Sequence, residues 1–381
     1  MTAGMARPER EDAIMITAKA AVLTQIHEPF EIRSYPVLPP PQGTARIRLI
    51  ASGICGTDLH IQRGKIPIRL PAVIGHEFVG QVEAFEAGAD SKHSVQVGDR
   101  VIVTIACPCG ACLLCQSGDD ANCVNMGVTN GSDPDTPPHF HGGFGEVSFA
   151  PIANLVRIPD GLDPRMTDVF ACAGPTTLHT FRLADRANIP VGQASVAVVQ
   201  GLGPVGLFAV MLLTRLGVRH VVAVTGHAKP ERDALAIRLG ATEVIGLDRV
   251  SSDDVICHVR ALSDGLGADV VVEASGHPRA VPQGLQLLRN RGAYLVPGQY
   301  SDSGDVAIAP QLITFKALQI IGSSQYSLED IRAYLEFLQA HPDLHETIRL
   351  LAAPYRFADI NQAFQDAGAG KNIKTMLVAD D

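Results

Sequence analysis

Four cysteines crowd one short stretch: Cys109-Gly-Ala-Cys112-Leu-Leu-Cys115 and, after seven further residues, Cys123. Two residues between successive thiolates let each one turn toward a common point at a Zn–S distance of about 2.3 Å, and four sulfurs close a tetrahedron around Zn²⁺. A site closed by four protein ligands leaves no position for substrate, so its expected work is to hold a lobe together. Three other segments carry chemistry-bearing side chains: Cys55-Gly-Thr57-Asp58-Leu-His60, Gly75-His76-Glu77 and Ala171-Cys172-Ala-Gly-Pro-Thr176-Thr177. Cys55, His76 and Cys172 would make a Cys₂His set with a fourth position open to water or a substrate oxygen, the arrangement of a catalytic zinc. No spacing links residues this far apart, and each alone reads equally as a buried small side chain or a surface histidine.

A different chemistry is written in Gly201-Leu-Gly203-Pro-Val-Gly206, which follows an apolar run at 195–200 and opens a helical stretch at 204–216. The first glycine permits a tight turn, the second lets backbone approach a pyrophosphate, and the third lets helix and strand pack closely. The helix N-terminus then offers unpaired N–H groups and the positive end of its dipole to the phosphates. An acid some twenty residues on would bond the ribose hydroxyls of NAD, but Thr225 stands there, followed by Gly226-His227-Ala228-Lys229. Without the carboxylate a 2′-phosphate is not repelled, and His227, Lys229 or Arg232 can supply positive charge. The balance leans to NADP over NAD. The other reading has the Thr225 hydroxyl on the ribose of NAD and the basic residues solvated.

The elements that must position these groups follow from pattern. With 381 residues the chain exceeds the ~250–300 at which a single core stops growing, so about two domains are expected. Residues 17–181 are rich in Gly, Pro and short β-like runs, such as 45–51, 78–84 and 100–104, which suits an irregular barrel with long loops. From 183 the pattern changes to strands at 195–200, 221–224, 243–246, 270–274 and 293–296, with helices at 204–216, 230–239 and 280–288 between them. That alternation implies an α/β doubly wound parallel sheet covered on both faces. Helices near 328–339 and 357–367 and a strand at 375–378 complete the chain.

Composition excludes some partners. A formal charge of −9 argues against nucleic acid and anionic membranes. The uncharged run 194–213 approaches membrane-spanning length, but its glycines and Pro204 fit a buried strand, a turn and a buried helix better. Residues 1–16 read as an N-terminal extension without the apolar core of a secretory signal, and Met15 offers a second start. Eight clustered cysteines without such a signal favour metal ligation in a reducing cytoplasm over disulfides.

Taken together and in order, the Cys-Gly-Thr-Asp-x-His segment, Gly-His-Glu, the four-cysteine loop, Gly142-Gly143-Phe144-Gly145-Glu146, the late cysteine and the glycine fingerprint resemble the zinc-dependent medium-chain alcohol dehydrogenases. The likeness runs from about Thr17 onward. It implies a GroES-like β-barrel catalytic domain at 17–182, a Rossmann domain at 183–322 and a return to the catalytic domain at 323–381. It implies two zinc ions per chain, one catalytic on Cys55, His76 and Cys172 and one structural on Cys109, Cys112, Cys115 and Cys123, with Cys107 a bystander. Asp58 would orient His76, and Glu77 would tune the metal's charge. A substrate alcohol would bind the metal as an alkoxide and lose hydride to the nicotinamide, with its proton leaving through Thr57, the cofactor ribose and His60. Thr176 would pack on the nicotinamide and Lys374 would face the pyrophosphate.

Two departures bear on substrate. Gly56 lacks the basic side chain some members carry there, which points toward polyol, threonine and secondary-alcohol branches, whereas Cys172 replaces the glutamate of sorbitol-type members. Ile105, His139, His141 and Phe144 are the pocket candidates. The strand near 318–322 lies where the family pairs subunits, so a homodimer or homotetramer is expected, acting on a small-molecule alcohol or ketone. Two other readings stay open: a zinc-free quinone or enone reductase of the same superfamily, and a nucleotide-binding sensor or structural protein without catalysis.

Overall fold

In the computed structural model, which describes residues 16–86, 94–299 and 301–379, the apolar runs of the second half form one six-stranded sheet. Its spatial order is Glu243–Gly246, His220–Thr225, Val196–Gln200, Ala268–Glu273, Leu288–Val296 and Gln319–Gly322, and every pairing is parallel. Parallel neighbours need long crossovers. The helices Pro204–Arg215, Pro230–Arg238, Ser252–Ala261 and Ala280–Leu287 supply four of them. The chain leaves Val196–Gln200 for one side of the sheet and later returns to its other side, which places a topological switch point, where ligands bind in such sheets, at the end of that strand.

Side chains alternate across the sheet. Ala197, Val199, Val221 and Ala223 enter a core shared with the helices Pro204–Arg215 and Leu328–Ala340, while Val196, Val198, Val222 and Val224 pack with Val255, Val259 and Leu285 on the opposite face. The run 194–213 thus becomes a buried strand, a turn and a buried helix, as its glycines required. Among the described residues no helix is long and apolar enough to cross a membrane.

The helix Ser252–Ala261 is absent from the expected set, yet its start is marked. Ser251 accepts the amide of Asp254 at 3.2 Å, a cap that satisfies one of the donors left over at a helix start. The expectations for residues 1–15 lie outside the described residues.

A seven-stranded sheet is built on the ten-residue strand Thr44–Gly53. Glu77–Phe85, Val147–Pro151 and Lys374–Val378 all pair with it antiparallel, and Met376 lies opposite Gly53. Its core carries a cluster of aromatic rings. Phe144 meets Phe30 and Phe364 edge-on with ring centroids 6.0 and 5.6 Å away.

Candidate functional site

Cys55 leaves the end of Thr44–Gly53 and becomes the N-cap of the helix Gly56–Gln62. Asp58, at the third position of that helix, accepts the Cys55 amide at 2.9 Å with one oxygen and meets His76 Nδ1 at 3.3 Å with the other. One fully buried carboxylate therefore fixes both the cap and the imidazole. With Nδ1 held by Asp58, Nε2 is the nitrogen available as a ligand. His76 follows Gly75, whose φ of +94° belongs to glycine and whose added Cβ would lie 2.7 Å from the Phe144 ring. Cys172 caps the helix Ala173–Arg186 from the opposite side.

These elements bring ligand atoms of Cys55, His76, Glu77 and Cys172 within 4.8 Å of one another. Their electrostatics suit a cation. A hydrogen bond from Cys172 holds the Cys55 thiol well below the ordinary range, and the neighbouring His76 helps against the opposing effect of burial. Burial pulls His76 down, but the Asp58 and Cys55 charges overrule it and raise the imidazole to about 10. A thiolate forms readily here, and thiolates are what a metal takes.

Cys109, Cys112, Cys115 and Cys123 make the second cluster, also within 4.8 Å. The Cys112 sulfur lies 3.5 Å from that of Cys115 and 3.9 Å from that of Cys123. A tetrahedron with arms of about 2.3 Å has edges of about 3.8 Å, whereas a disulfide would bring sulfurs to about 2.05 Å. All eight cysteines are free thiols. The amides of Ala111 and Cys112 hold Cys109 down to about 6. Cys107 stays outside the cluster and accepts from Asn154 Nδ2 at 3.3 Å.

The glycine turn supplies the third part. Gly203, the N-cap of Pro204–Arg215, has open space where a Cβ would point, while Gly206 is packed so tightly that an added Cβ would fall 1.9 Å from the Gly201 carbonyl oxygen. Overpacking of this kind costs about 1–3 kcal/mol, so Gly206→Ala is expected to weaken dinucleotide binding about tenfold or more, measured by NADPH fluorescence titration. Gly203 lines a cleft of about 680 Å³ together with Cys55, His60, Glu77, Cys172 and Lys374. Gly201 and Thr225 line an adjoining pocket of about 420 Å³. The Cys55–Cys172 cluster and the glycine turn thus open into one space.

Residues 41–160 match the alcohol dehydrogenase GroES-like domain and residues 204–340 match the zinc-binding dehydrogenase domain. The L-threonine 3-dehydrogenase of Bacillus subtilis is 32% identical over 80% of this chain and 80% of its own. The chain belongs to the medium-chain zinc-type alcohol dehydrogenase family. The 5-exo-hydroxycamphor dehydrogenase of Pseudomonas putida is 28% identical over 94% of this chain and 98% of its own. An alcohol dehydrogenase structure from Thermotoga maritima shares the fold, with a TM-score of 0.88 at 23% identity over 96% of this chain and all of that one. The protein is therefore an oxidoreductase of the zinc-binding dehydrogenase family with a Rossmann-like nucleotide domain and a GroES-like domain.

Other residues of this dehydrogenase fall around the same cleft. Thr57 Oγ1 lies 3.5 Å from Cys55 Sγ, and Thr176 Oγ1 lies 3.8 Å from Cys172 Sγ. Lys374, expected to face the pyrophosphate, lines the cleft but is buried in an ion pair with Glu77. Burial lowers its ammonium to about 8 against the pull of Cys55 and Asp58. Beside Thr225, Lys229 donates to the Gly370 carbonyl at 2.8 Å and Arg232 to that of Asn372 at 3.2 Å, tying the nucleotide sheet's rim to the last turn before the C-terminal strand.

The expected substrate-pocket residues need correction. Ile105, His139, His141 and Phe144 do not line the cleft. Phe144 fills the barrel core, and His139 stacks on Tyr35 with centroids 4.9 Å apart. Two residues absent from the expectations do belong to the site. Tyr326 is close enough to Cys172 and Thr104 to exchange hydrogen bonds with them, and burial pushes its phenol well up. Ser301 meets His60 across the cleft.

Proposed function

We propose that this dehydrogenase interconverts an alcohol and its carbonyl compound, using NADP in preference to NAD. The observation that carries the reading is the shared cleft: Cys55 and Cys172, which cluster with His76, line one space with the turn at Gly203. Zinc on that cluster would supply Lewis acidity at the substrate oxygen, and the nicotinamide would supply the hydride acceptor. The chain's own residues do the rest. Thr57 takes the substrate proton and His60 carries it outward. Asp58 keeps His76 in one tautomer and one orientation. Glu77, neutralised by Lys374, sets the charge beside the metal without adding a full negative charge to it. The amides at the start of Pro204–Arg215 receive the pyrophosphate, and Thr176 packs at the nicotinamide.

Secondary alcohols are the first substrate class. The two relatives are named for oxidising secondary alcohols, threonine at C3 and a hydroxycamphor, and Cys172 as third ligand departs from the sorbitol type. The preference for NADP rests on Thr225, which presents no carboxylate to a 2′-phosphate, and on the basic group His227, Lys229 and Arg232. Each of the last two donates a hydrogen bond to a backbone carbonyl, which holds it beside Thr225. The reading includes a division at 17–182, 183–322 and 323–381, two zinc ions per chain and a cytoplasmic setting that keeps the cysteines reduced. It also includes pairing of chains at the sheet edge Gln319–Gly322, where Ile320 is 44% exposed, into a dimer or tetramer.

An initial-rate screen of primary, secondary and polyol substrates with both cofactors, run beside zinc analysis, tests this. Turnover of secondary alcohols, faster with NADP, at about two zincs per chain is expected. About one zinc would mean that only the four-cysteine site loads; a metal-free protein that still reduces quinones or enones would overturn the reading.

A further inference from the structure

His60 and Ser301 are 241 residues apart in the chain, yet His60 Nδ1 lies 2.5 Å from Ser301 Oγ. They come from opposite walls of the cleft. His60 sits in the last turn of Gly56–Gln62, on the helix that Cys55 caps. Ser301 lies between the strand Leu288–Val296 and the helix Gln311–Phe315. Both side chains are half-buried, and residues 302–305 immediately after Ser301 are exposed. The contact therefore stands at the point where the cleft interior meets solvent.

We propose that Ser301 is the positioning residue for the relay histidine, fixing its tautomer and taking its proton to solvent. This rests on the reading of His60 as the outward carrier. With Nδ1 engaged by Ser301, a proton from the reaction side enters at Nε2. The Nδ1–H bond then breaks, an O–H bond forms on Ser301, and the serine's own hydroxyl proton passes to water. The imidazole, left protonated on Nε2, returns to its resting Nδ1–H tautomer by exchanging protons with solvent before the next turnover. In carbonyl reduction the same bonds reverse. Because the serine follows the nucleotide-binding sheet and the histidine lies on the helix that Cys55 caps, the outlet is complete only while the two walls keep this approach. Burial, with Lys65 and Arg63 on its own segment, lowers the His60 imidazole, and Cys55 beneath it opposes them. Asp305, His277, Arg279 and Arg232 are the charged or titratable groups lining the cleft from the facing wall. An imidazolium in that setting sheds its proton readily once a hydroxyl is there to take it.

The test compares Ser301→Ala, Ser301→Thr and His60→Ala in the zinc-loaded protein by two readouts. The first is the pH profile of kcat and KM for alcohol oxidation. Ser301→Ala should lower kcat about tenfold near pH 7 with KM little changed, the deficit should close toward about pH 9 as hydroxide takes over, and Ser301→Thr should restore most of it. The second is the ¹⁵N spectrum of histidine-labelled protein without cofactor, with the His60 signals found by their loss in His60→Ala. Ser301→Ala should move those signals toward a mixture of tautomers. A Ser301→Ala profile that overlays the parent's, or falls equally at every pH, overturns the proposal, as does an unchanged His60 spectrum. If His60→Ala also keeps the parent profile, the relay reading itself has failed. If His60→Ala loses neutral activity and Ser301→Ala does not, only the role of Ser301 has failed.

Discussion

Cys55→Ser is expected to abolish alcohol oxidation, by about 10³-fold or more, while NADPH binding survives and bound zinc falls from about two per chain to about one. The magnitude follows from the Lewis acidity of a catalytic metal, worth several kcal/mol at the reacting oxygen, with each 1.36 kcal/mol worth about tenfold in rate. The selectivity follows from position. Cys55 is the N-cap of its helix in a reciprocal capping box with Asp58, and serine is a good N-cap residue, so the substitution keeps the local fold and removes only the thiolate. Gly203 and Gly201 lie on a different sheet and keep the dinucleotide turn. Zinc analysis, fluorescence titration and initial rates on one preparation read all three; retained turnover at one zinc per chain would remove Cys55 from the chemistry.

The second large effect is expected from Cys112→Ser. The four-cysteine lobe has almost no core of its own: Leu113 is 79% exposed, Val124 71% and Val128 56%, with Ala121 and Cys123 its buried members. On the proposed reading, zinc held by the four thiolates takes the place of apolar burial there, and structural zinc binding is folding free energy. Losing a ligand belongs among the few changes that destabilise by about 4 kcal/mol or more, which at about 2–4 °C per kcal/mol lowers Tm by roughly 8–16 °C. The damage should begin locally. Limited proteolysis is expected to cut between Cys109 and Cys123 first and to release one zinc, while the six-stranded sheet stays protected. Uniform cutting along the chain, or a melting curve identical to the parent's, would show that the lobe stands without its metal.

Much of this site is legible in the residues alone because metal and phosphate chemistry restrict residue type severely. Thiolates and imidazoles in family order mark both clusters, and glycines at 201, 203 and 206 mark a turn in which a Cβ fits at neither 201 nor 206. The parts that escape are contacts made by ordinary residues across long separations. Ser301 has no spacing rule to betray it, since its partner lies 241 residues away and any hydroxyl on that wall would read the same. Tyr326 is hidden likewise, an unremarked tyrosine before a helix until the fold sets it against Cys172. Phe144 misleads in the opposite direction. It sits inside a glycine-rich motif and reads as pocket lining, but Gly75 makes room for its ring in the barrel core, where it holds the His76 loop from behind. The helix Ser252–Ala261 was within reach, because Ser251 and Asp254 carry a capping signal that apolar periodicity alone does not weigh.

The strand Lys374–Val378 has a consequence for how the protein is made. It closes against Gly53 and delivers Lys374 to Glu77, 297 residues earlier in the chain. A ribosome adding about 5–20 residues per second needs roughly 15–60 s to span that interval. For that time the edge of Thr44–Gly53 that later receives Met376 lacks its partner, and an open strand edge is a template for wrong pairing. The nucleotide-binding sheet, whose strands all lie within residues 196–322, can be finished first and the barrel sealed around it last. Nascent chains halted before Lys374 should therefore hold a folded nucleotide half joined to an unsealed, aggregation-prone barrel.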